Sequence, residues 1–195
     1  MRHFLLIIGV MGSVLLKSEP TLSQNYSAIE GNILILGTSN GHSWGLQSRN
    51  LECKADIILS GVSIKEIRSL MFAVKVEDLK GSNIWMNRGV YKALKGYPFD
   101  QVHYKGVYFT VSNTGENTYE IKSEGNLMIA GVTRVTSITI LTTLNSDGSL
   151  TCTGSKALKM SDFNVHLDEK ETKRMNVGDE VILTFQLKMA PGKER

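Results

Sequence analysis

The histidines that can act as a general base, His42, His103 and His166, lie far apart along the chain. His42, Ser43 and Asp162 supply the residue types of a hydrolytic triad, in which a carboxylate orients a histidine that activates the serine. The strings GTSNG at residues 37–41 and GHSWG at residues 41–45 fit the G-x-S-x-G pattern. That pattern positions a nucleophile only on a strand-to-helix turn, and no helix is predicted here. A hydrolase or isomerase that uses His42 or His103 as its base therefore ranks last among our hypotheses, and we predict a protein that is not an enzyme.

Signatures of metal and cofactor sites are also absent from the sequence. His42, His103 and His166 have no His or Cys neighbour at a metal-ligand spacing. There is no H-E-x-x-H pair and no glycine loop of the P-loop or dinucleotide-binding type. Acidic and basic residues balance one another across residues 168–174, which is typical of a solvated loop. We therefore predict no metal and no cofactor.

The two cysteines, Cys53 and Cys152, leave two interpretations open. In an oxidising compartment they can form a disulfide. Alternatively, they are buried free thiols that behave as small apolar side chains. Because there are only two, the fold does not depend on a disulfide framework.

The N-terminal segment, residues 1–23, has the pattern of a secretory signal peptide. Arg2 and His3 precede the apolar residues 4–16, a run that is too short to span a bilayer. We expect cleavage between Ser23 and Gln24, a mature domain at residues 24–195, and a periplasmic or secreted location. No later run is long and apolar enough to form an integral membrane span.

The charge of the chain argues against a nucleic-acid partner. The formal net charge is +3, and loss of Arg2, Lys17 and Glu19 with the signal lowers it by one. The remaining positive residues are not clustered, whereas nucleic-acid binding needs a basic patch or stripe.

Apolar residues alternate with other residues along most of the chain, which is the period of a β-strand with two unlike faces. The runs lie at residues 32–38, 70–76, 102–111, 119–121, 127–129, 138–141 and 181–187. Turn-forming residues stand at positions 40–41, 115–117, 145–148 and 176–179. Such short connections favour antiparallel pairing, so the pattern predicts an all-β barrel or sandwich.

One segment, residues 82–97, has a helical period instead. Its apolar side chains recur at helical spacing at Met86, Val90, Ala93, Leu94 and Tyr97. A serine and an asparagine at positions 82 and 83 are suited to cap its start, and the glycine at position 96 to end it. We predict one amphipathic helix that lies over an open end or an edge of the β-structure.

Five strings of residues, taken in order, resemble the YceI-like family of exported lipid-binding proteins. They are residues 37–44 (GTSNGHSW), 91–95 (YKALK) with Tyr97-Pro98, 125–134 (GNLMIAGVTR), 159–163 (KMSDF) and 177–181 (VGDEV). The string at 125–134 is the most specific of them. The resemblance covers nearly all of the expected mature chain.

The resemblance implies a fold and a role. The fold is an antiparallel, lipocalin-like β-barrel of about eight strands with one helix near one end, and the strand pattern agrees with it. The implied role is to hold an isoprenoid chain or a similar amphiphile inside the barrel.

The candidate ligand-binding residues are apolar side chains at alternate strand positions and on the predicted helix. Tyr104 and Phe109 differ in parity, so both face inward only if a bulge intervenes near Gly106. Arg88, Lys92, His103 and Tyr104 are candidate polar contacts for a head group. The full apolar set is Leu70, Phe72, Val74, Ile84, Met86, Val90, Tyr91, Tyr104, Phe109, Leu127, Ile129, Ile138, Ile140 and Phe185.

Our leading hypothesis is an exported carrier for an isoprenoid or another amphiphilic lipid, which it holds without chemistry. The alternative is a structural or protein-interaction barrel whose interior is filled by side chains. The partner predicted by the first hypothesis is an apolar or amphiphilic lipid, and a homodimer stays open.

Overall fold

The computed structural model describes residues 20–166 and 176–192 as an antiparallel β-structure with one α-helix. Most of the expected signal peptide and the charged segment 167–175 lie outside the described residues. No helix within the described ranges is both long and apolar enough to cross a bilayer. The strands and the helix are β1 (Thr21–Ser39), β2 (His42–Ser48), β3 (Glu52–Ser60), β4 (Ser63–Lys75), α1 (Ile84–Ala93), β5 (Gln101–Gly115), β6 (Thr118–Ile129), β7 (Val132–Leu144), β8 (Leu150–Lys159) and β9 (Glu180–Pro191).

The long first strand closes the sheet into a barrel. Strands β3 to β9 pair in sequence order, and β1 pairs with both β3 and β9. Closure gives the predicted eight-stranded antiparallel barrel with one helix. The short strand β2 is additional to these eight strands. It pairs with the last part of β1, on the same edge of β1 whose first part pairs with β3.

Strand β2 is itself covered on its outer edge. Gln47 and Lys80 exchange two backbone hydrogen bonds, with N···O distances of 2.8 and 2.9 Å. Lys80 lies in the connection between β4 and α1. The outer edge of β2 is therefore paired at Gln47, at the end of the barrel where the helix begins.

The predicted turns are present, and the sequence analysis missed others. Asn40 and Gly41 connect β1 to β2 with φ angles of 51° and 75°, as a two-residue hairpin requires. The β6–β7 hairpin uses Ala130 and Gly131 with φ angles of 51° and 82°. Alanine is an uncommon residue for that conformation, so composition carries no turn signal there. Strands β2, β3 and β8 were likewise not identified from alternation.

Helix α1 is shorter than predicted. The Asn83 side chain caps it by accepting a hydrogen bond from the Met86 backbone N–H at 2.9 Å. The helix ends at Ala93, and Lys95, not Gly96, has the left-handed conformation, with a φ of 52°. In the sequence the helical period continues beyond Ala93. Leu94 fits it because this side chain still packs on the barrel. Tyr97 has the same spacing but is exposed.

The bulge expected near Gly106 is present. The pairing of β5 with β6 shifts between Gly106 and Tyr108, so Tyr104 and Phe109 both face inward despite their different parity. Gly106 lies opposite Gly125 of β6. A side chain at Gly125 would overlap the Lys105 carbonyl and the Gly106 backbone, so the two strands approach closely only because glycine is present.

Two buried clusters lie inside the barrel, one toward each end. We call the first the packed end; it includes Tyr26, Ile57, Ile64, Tyr119 and Leu150. The Tyr26 hydroxyl donates a hydrogen bond to the Gly148 carbonyl at 3.2 Å and so joins this cluster to the β7–β8 turn. We call the second the helix end; it includes Ile33, Val74, Val76, Leu79, Val102, Leu127 and Phe163, with Ala93 and Leu94 packed against it.

Strand β1 begins before the expected cleavage point. Thr21, Leu22 and Ser23 pair with β3, and the Ser23 hydroxyl donates a hydrogen bond to an Asp56 carboxylate oxygen at 2.7 Å. Cleavage after Ser23 would remove these contacts. The signal peptide and its cleavage site stay predictions.

Two glycine-to-alanine substitutions should have opposite effects on stability. In Gly125→Ala the new methyl group meets backbone atoms of β5, so the free energy of unfolding should fall by about 1–3 kcal/mol. In Gly89→Ala the new methyl group has no neighbour within 4 Å, and the helix should gain about 1 kcal/mol. Urea unfolding of both variants measures the difference, and a Gly125→Ala protein as stable as the parent would contradict the close approach.

Candidate functional site

A cavity of about 560 Å³ lies inside the barrel, between the packed end and the helix end. Its wall consists of inward-facing side chains of the strands together with one face of α1. Its volume lies within the range of pockets that bind small molecules. No Asp or Glu is among the described residues that line it.

Most of the predicted ligand-binding residues lie on this wall. The alternation of the strands assigned their inward faces correctly, because each strand has one apolar face toward the barrel interior. Met86 and Val90 reach the cavity from α1, together with Gly89, Ala93 and Leu94. The predicted residues on the wall are Leu70, Phe72, Val74, Met86, Val90, Tyr104, Leu127, Ile129, Ile138, Ile140 and Phe185.

Three predicted residues lie off the wall. Ile84 is in the first turn of α1 and is 59% exposed. The Tyr91 ring lies against Gly96, and its hydroxyl donates a hydrogen bond to the Gly96 carbonyl at 2.9 Å. Phe109 faces inward but packs over Gly106 and against the packed end, away from the cavity.

Several wall residues were missed by the sequence analysis. Trp44 and Trp85 contribute aromatic surface, and Ser39 and Asn83 contribute polar groups near α1 and the β1–β2 hairpin. Strand β8 contributes Cys152, Lys156 and Leu158. The alternation of β8 is present in the sequence, but Gly154 and Lys156 interrupt its apolar positions, and the pattern is too weak to identify a strand.

Trp44 has its position because of a glycine across the hairpin. Gly37 pairs directly with Trp44, and a side chain at Gly37 would overlap the indole ring. The indole N–H donates a hydrogen bond to the Thr38 carbonyl at 3.1 Å. The residues 37–44 therefore hold an aromatic ring against the cavity.

Tyr104 is the one predicted head-group contact on the wall, but its hydroxyl is already engaged. It shares a hydrogen bond of 2.8 Å with the Ser123 hydroxyl and lies 3.4 Å from the Thr136 carbonyl. Burial, with a smaller contribution from Glu124, raises the pKa of Tyr104. The hydroxyl is thus a neutral, internally bonded group that fixes the side chain in the wall.

The other predicted polar contacts do not line the cavity. The Arg88 guanidinium lies 5.4 Å from the centroid of the Trp85 ring, which is a cation–π contact. His103 lies on the opposite face of β5 from the inward-facing Tyr104. Lys92, in the last turn of α1, is absent from the wall.

The residues considered for catalysis do not come together. His42, Ser43 and Asp162 are all exposed, and none of the hydrogen bonds among the described side chains joins them. Asp162 contributes its backbone carbonyl, which accepts a hydrogen bond from Arg134 Nε at 2.8 Å. Within the described ranges, no three His, Cys, Asp or Glu side chains are grouped to hold a metal ion.

Cys53 and Cys152 are both buried free thiols in the cavity wall. Burial, and secondarily the nearby Cys152, raises the pKa of Cys53 to about 12. Burial also raises the pKa of Cys152, against a hydrogen bond from the Thr142 hydroxyl. The sequence left open a disulfide or two buried free thiols, and in the structure both cysteines are free thiols.

Comparison with known proteins places the fold among solved barrels. Residues 47–189 match the family model of the YceI-like domain. The fold is similar to BcnA of Burkholderia cenocepacia, with a TM-score of 0.66 and 18% identity over 82% of this chain and 96% of that chain. No match is found among curated proteins.

Two further solved structures share the fold. A polyisoprenoid binding domain from Saccharophagus degradans, implicated in plant cell wall breakdown, has a TM-score of 0.68 and 11% identity over 86% of this chain and 98% of that chain. The YceI protein of Campylobacter jejuni has a TM-score of 0.54 and 14% identity, with 100% of both chains covered.

The buried thiols should be unreactive in the folded protein. Since both folded pKa values are raised, few thiolates form as the pH rises from 7 to 9, whereas unfolded cysteines ionise near pH 8.5. Labelling with a thiol reagent should be slow in buffer and fast in denaturant, where it should report both cysteines. By linkage, the free energy of unfolding should fall as the pH rises above about 8.5. If the cysteines are not labelled in denaturant when no reductant is present, they form a disulfide instead.

Proposed function

The chain belongs to the YceI-like domain family, and from that premise we propose that it binds an isoprenoid or another amphiphilic lipid inside the barrel and carries it unchanged. The observation that supports this most is the apolar cavity of about 560 Å³. A barrel whose interior is filled by side chains would have no such space.

The physical chemistry of the wall is suited to a hydrocarbon tail. Its strand residues are mainly aliphatic or aromatic, and the methionines Met86, Met160 and Met189 contribute flexible side chains that adapt to an irregular ligand. Transfer of a tail from water to such a wall is favourable by about 0.8 kcal/mol per CH₂ group. Affinity for a lipid therefore does not depend on a specific polar contact.

The solved relative from Saccharophagus degradans is described as a polyisoprenoid binding domain, and we extend that ligand class to this chain. The extension is supported by the shared barrel and by the position of α1, whose inner face borders the cavity. Residues of both buried clusters line the cavity, so an extended branched chain inside it would contact both.

We also propose that the chain is exported and acts in the periplasm or outside the cell. The support is the charge and hydropathy pattern of residues 1–23. In an aqueous compartment, a lipid needs a protein that shields its tail from water. N-terminal sequencing of the protein recovered from that compartment tests this proposal, and an uncut chain retained in the cytoplasm would contradict it.

Native mass spectrometry and an organic extract of the purified protein test the lipid proposal. We expect a co-purifying lipid in the parent protein and its loss in Leu183→Trp, which places an indole in the cavity. If the indole displaces the equivalent of two CH₂ groups of the lipid tail, lipid binding weakens by about 1.6 kcal/mol. The amount of lipid retained should then fall about ten-fold or more.

The matched control is Ile182→Trp, because Ile182 is the next residue on β9 and is 44% exposed on the outer face. This variant should keep the lipid of the parent. A parent protein that binds no lipid from extract or added isoprenoid, or a Leu183→Trp variant that binds as well as the parent, would refute the proposal and favour the side-chain-filled interaction barrel.

A further inference from the structure

The charged side chain of Lys156 lies on the inner face of the barrel wall. Along β8, residues of one parity face inward, and Cys152, Lys156 and Leu158 all line the cavity. Lys156 is half-buried at a position where the neighbouring inward residues are apolar or glycine. A lysine is rarely buried in an apolar row of this kind unless its charge has a partner.

The surroundings of Lys156 contain no counter-charge among the described residues. Lys156 pairs across the sheet with Leu183 of β9, and Phe185 and Val181 follow on the same cavity face. No ion pair of the described chain involves Lys156, and no described acidic residue lines the cavity.

The second lysine on the wall, Lys159, is in a different situation. It is exposed at the end of β8, near Asp179, whose carboxylate accepts hydrogen bonds from the Ser161 backbone N–H at 2.8 Å and from its hydroxyl at 2.6 Å. Those hydrogen bonds, and secondarily the charges of Lys159 and His166, lower the pKa of Asp179. Lys159 thus lies at the exposed rim with an acidic side chain nearby, whereas Lys156 lies among apolar residues.

We infer that the lipid held in this cavity is an anionic amphiphile, and that its carboxylate or phosphate group lies at the ammonium group of Lys156. The inference rests on the proposed function and names the class of ligand. A lysine ammonium is a point charge that binds either kind of anion, and its attraction is stronger beside an apolar wall than in water.

The position of Lys156 leaves room for the tail on the inner side. Lys156 is four positions from Cys152 along β8, which is about 14 Å of strand. Cys152 lies in the cavity wall beside the packed end, where Leu187 and Met189 also border the cavity. A tail of medium length can thus extend from Lys156 toward the packed end.

Titration calorimetry of the full-length protein with amphiphiles that share one tail tests the inference. Dodecanoate and dodecyl phosphate carry the anion, and 1-dodecanol has the same tail without it. We expect the parent protein to bind at least one of the anions about ten-fold more tightly than the alcohol, because a charge-assisted hydrogen bond contributes at this level. Comparison of the two anions distinguishes a carboxylate from a phosphate head group. Acetate and inorganic phosphate, which lack the tail, should not bind measurably.

Lys156→Met should remove the preference for the anion and leave dodecanol binding unchanged or slightly tighter. The matched control is Lys105→Met, which removes the same charge from an exposed position on the outer face of β5 and should keep the preference. The thermal unfolding of both variants shows whether they are folded.

The outcomes separate the two proposals. If the parent binds the alcohol as tightly as the anions, the inference fails while the lipid-binding proposal stands, and this comparison needs no variant. If the parent binds neither anion nor alcohol, nor any longer lipid, the proposed function fails. An equal loss of anion and alcohol binding in Lys156→Met would mean that the side chain only shapes the cavity, which also overturns the inference.

Discussion

The closure of the barrel by β1 is the constraint on which the rest of the structure depends. One edge of this strand pairs with β9, and the other pairs first with β3 and then with β2. The chain passes from β2 to β3 beside Gly31, where Leu51 and Leu187 occupy the space that a side chain would need. Because the sheet has no free edge along most of its length, its backbone groups are satisfied without a filled interior. An internal cavity is therefore compatible with a stable sheet.

The two ends of the barrel use different means to exclude water. At the packed end, large side chains such as Tyr26, Ile57 and Leu150 meet across the interior. At the other end α1 and the β2 edge cover the opening, and α1 contributes no fully buried residue. The small side chains of Cys53 and Cys152 belong to the packed end and border the cavity, where larger ones would reduce the free volume. The cavity thus results from residue size at the middle of the wall and from a cover supplied by the helix.

Local patterns predicted a large part of this structure. Alternation identified the inward faces of β4, β5, β6, β7 and β9, because side-chain parity is a property of a single strand. The difference in parity between Tyr104 and Phe109 predicted the bulge at Gly106, and the resemblance to YceI-like proteins is confirmed by the family match. Ile84, Tyr91 and Phe109 lie off the cavity wall for one reason. Each is apolar and correctly spaced, but its contact partner is solvent, Gly96 or Gly106, and periodicity does not contain that information.

The sequence by itself determined the β-rich class, the single helix with a cap at Ser82 or Asn83, most turns and the apolar face of most strands, since each depends on residues close together in the chain. Only the tertiary structure decided which strands meet and what lies between them. The closure through β1 joins residues far apart in sequence, such as Ile33 and Phe185. The cavity, the two free thiols on its wall and the inward position of Lys156 follow from that closure. The physical reason is that a cavity is defined by the distance between opposite walls, and no local pattern specifies that distance.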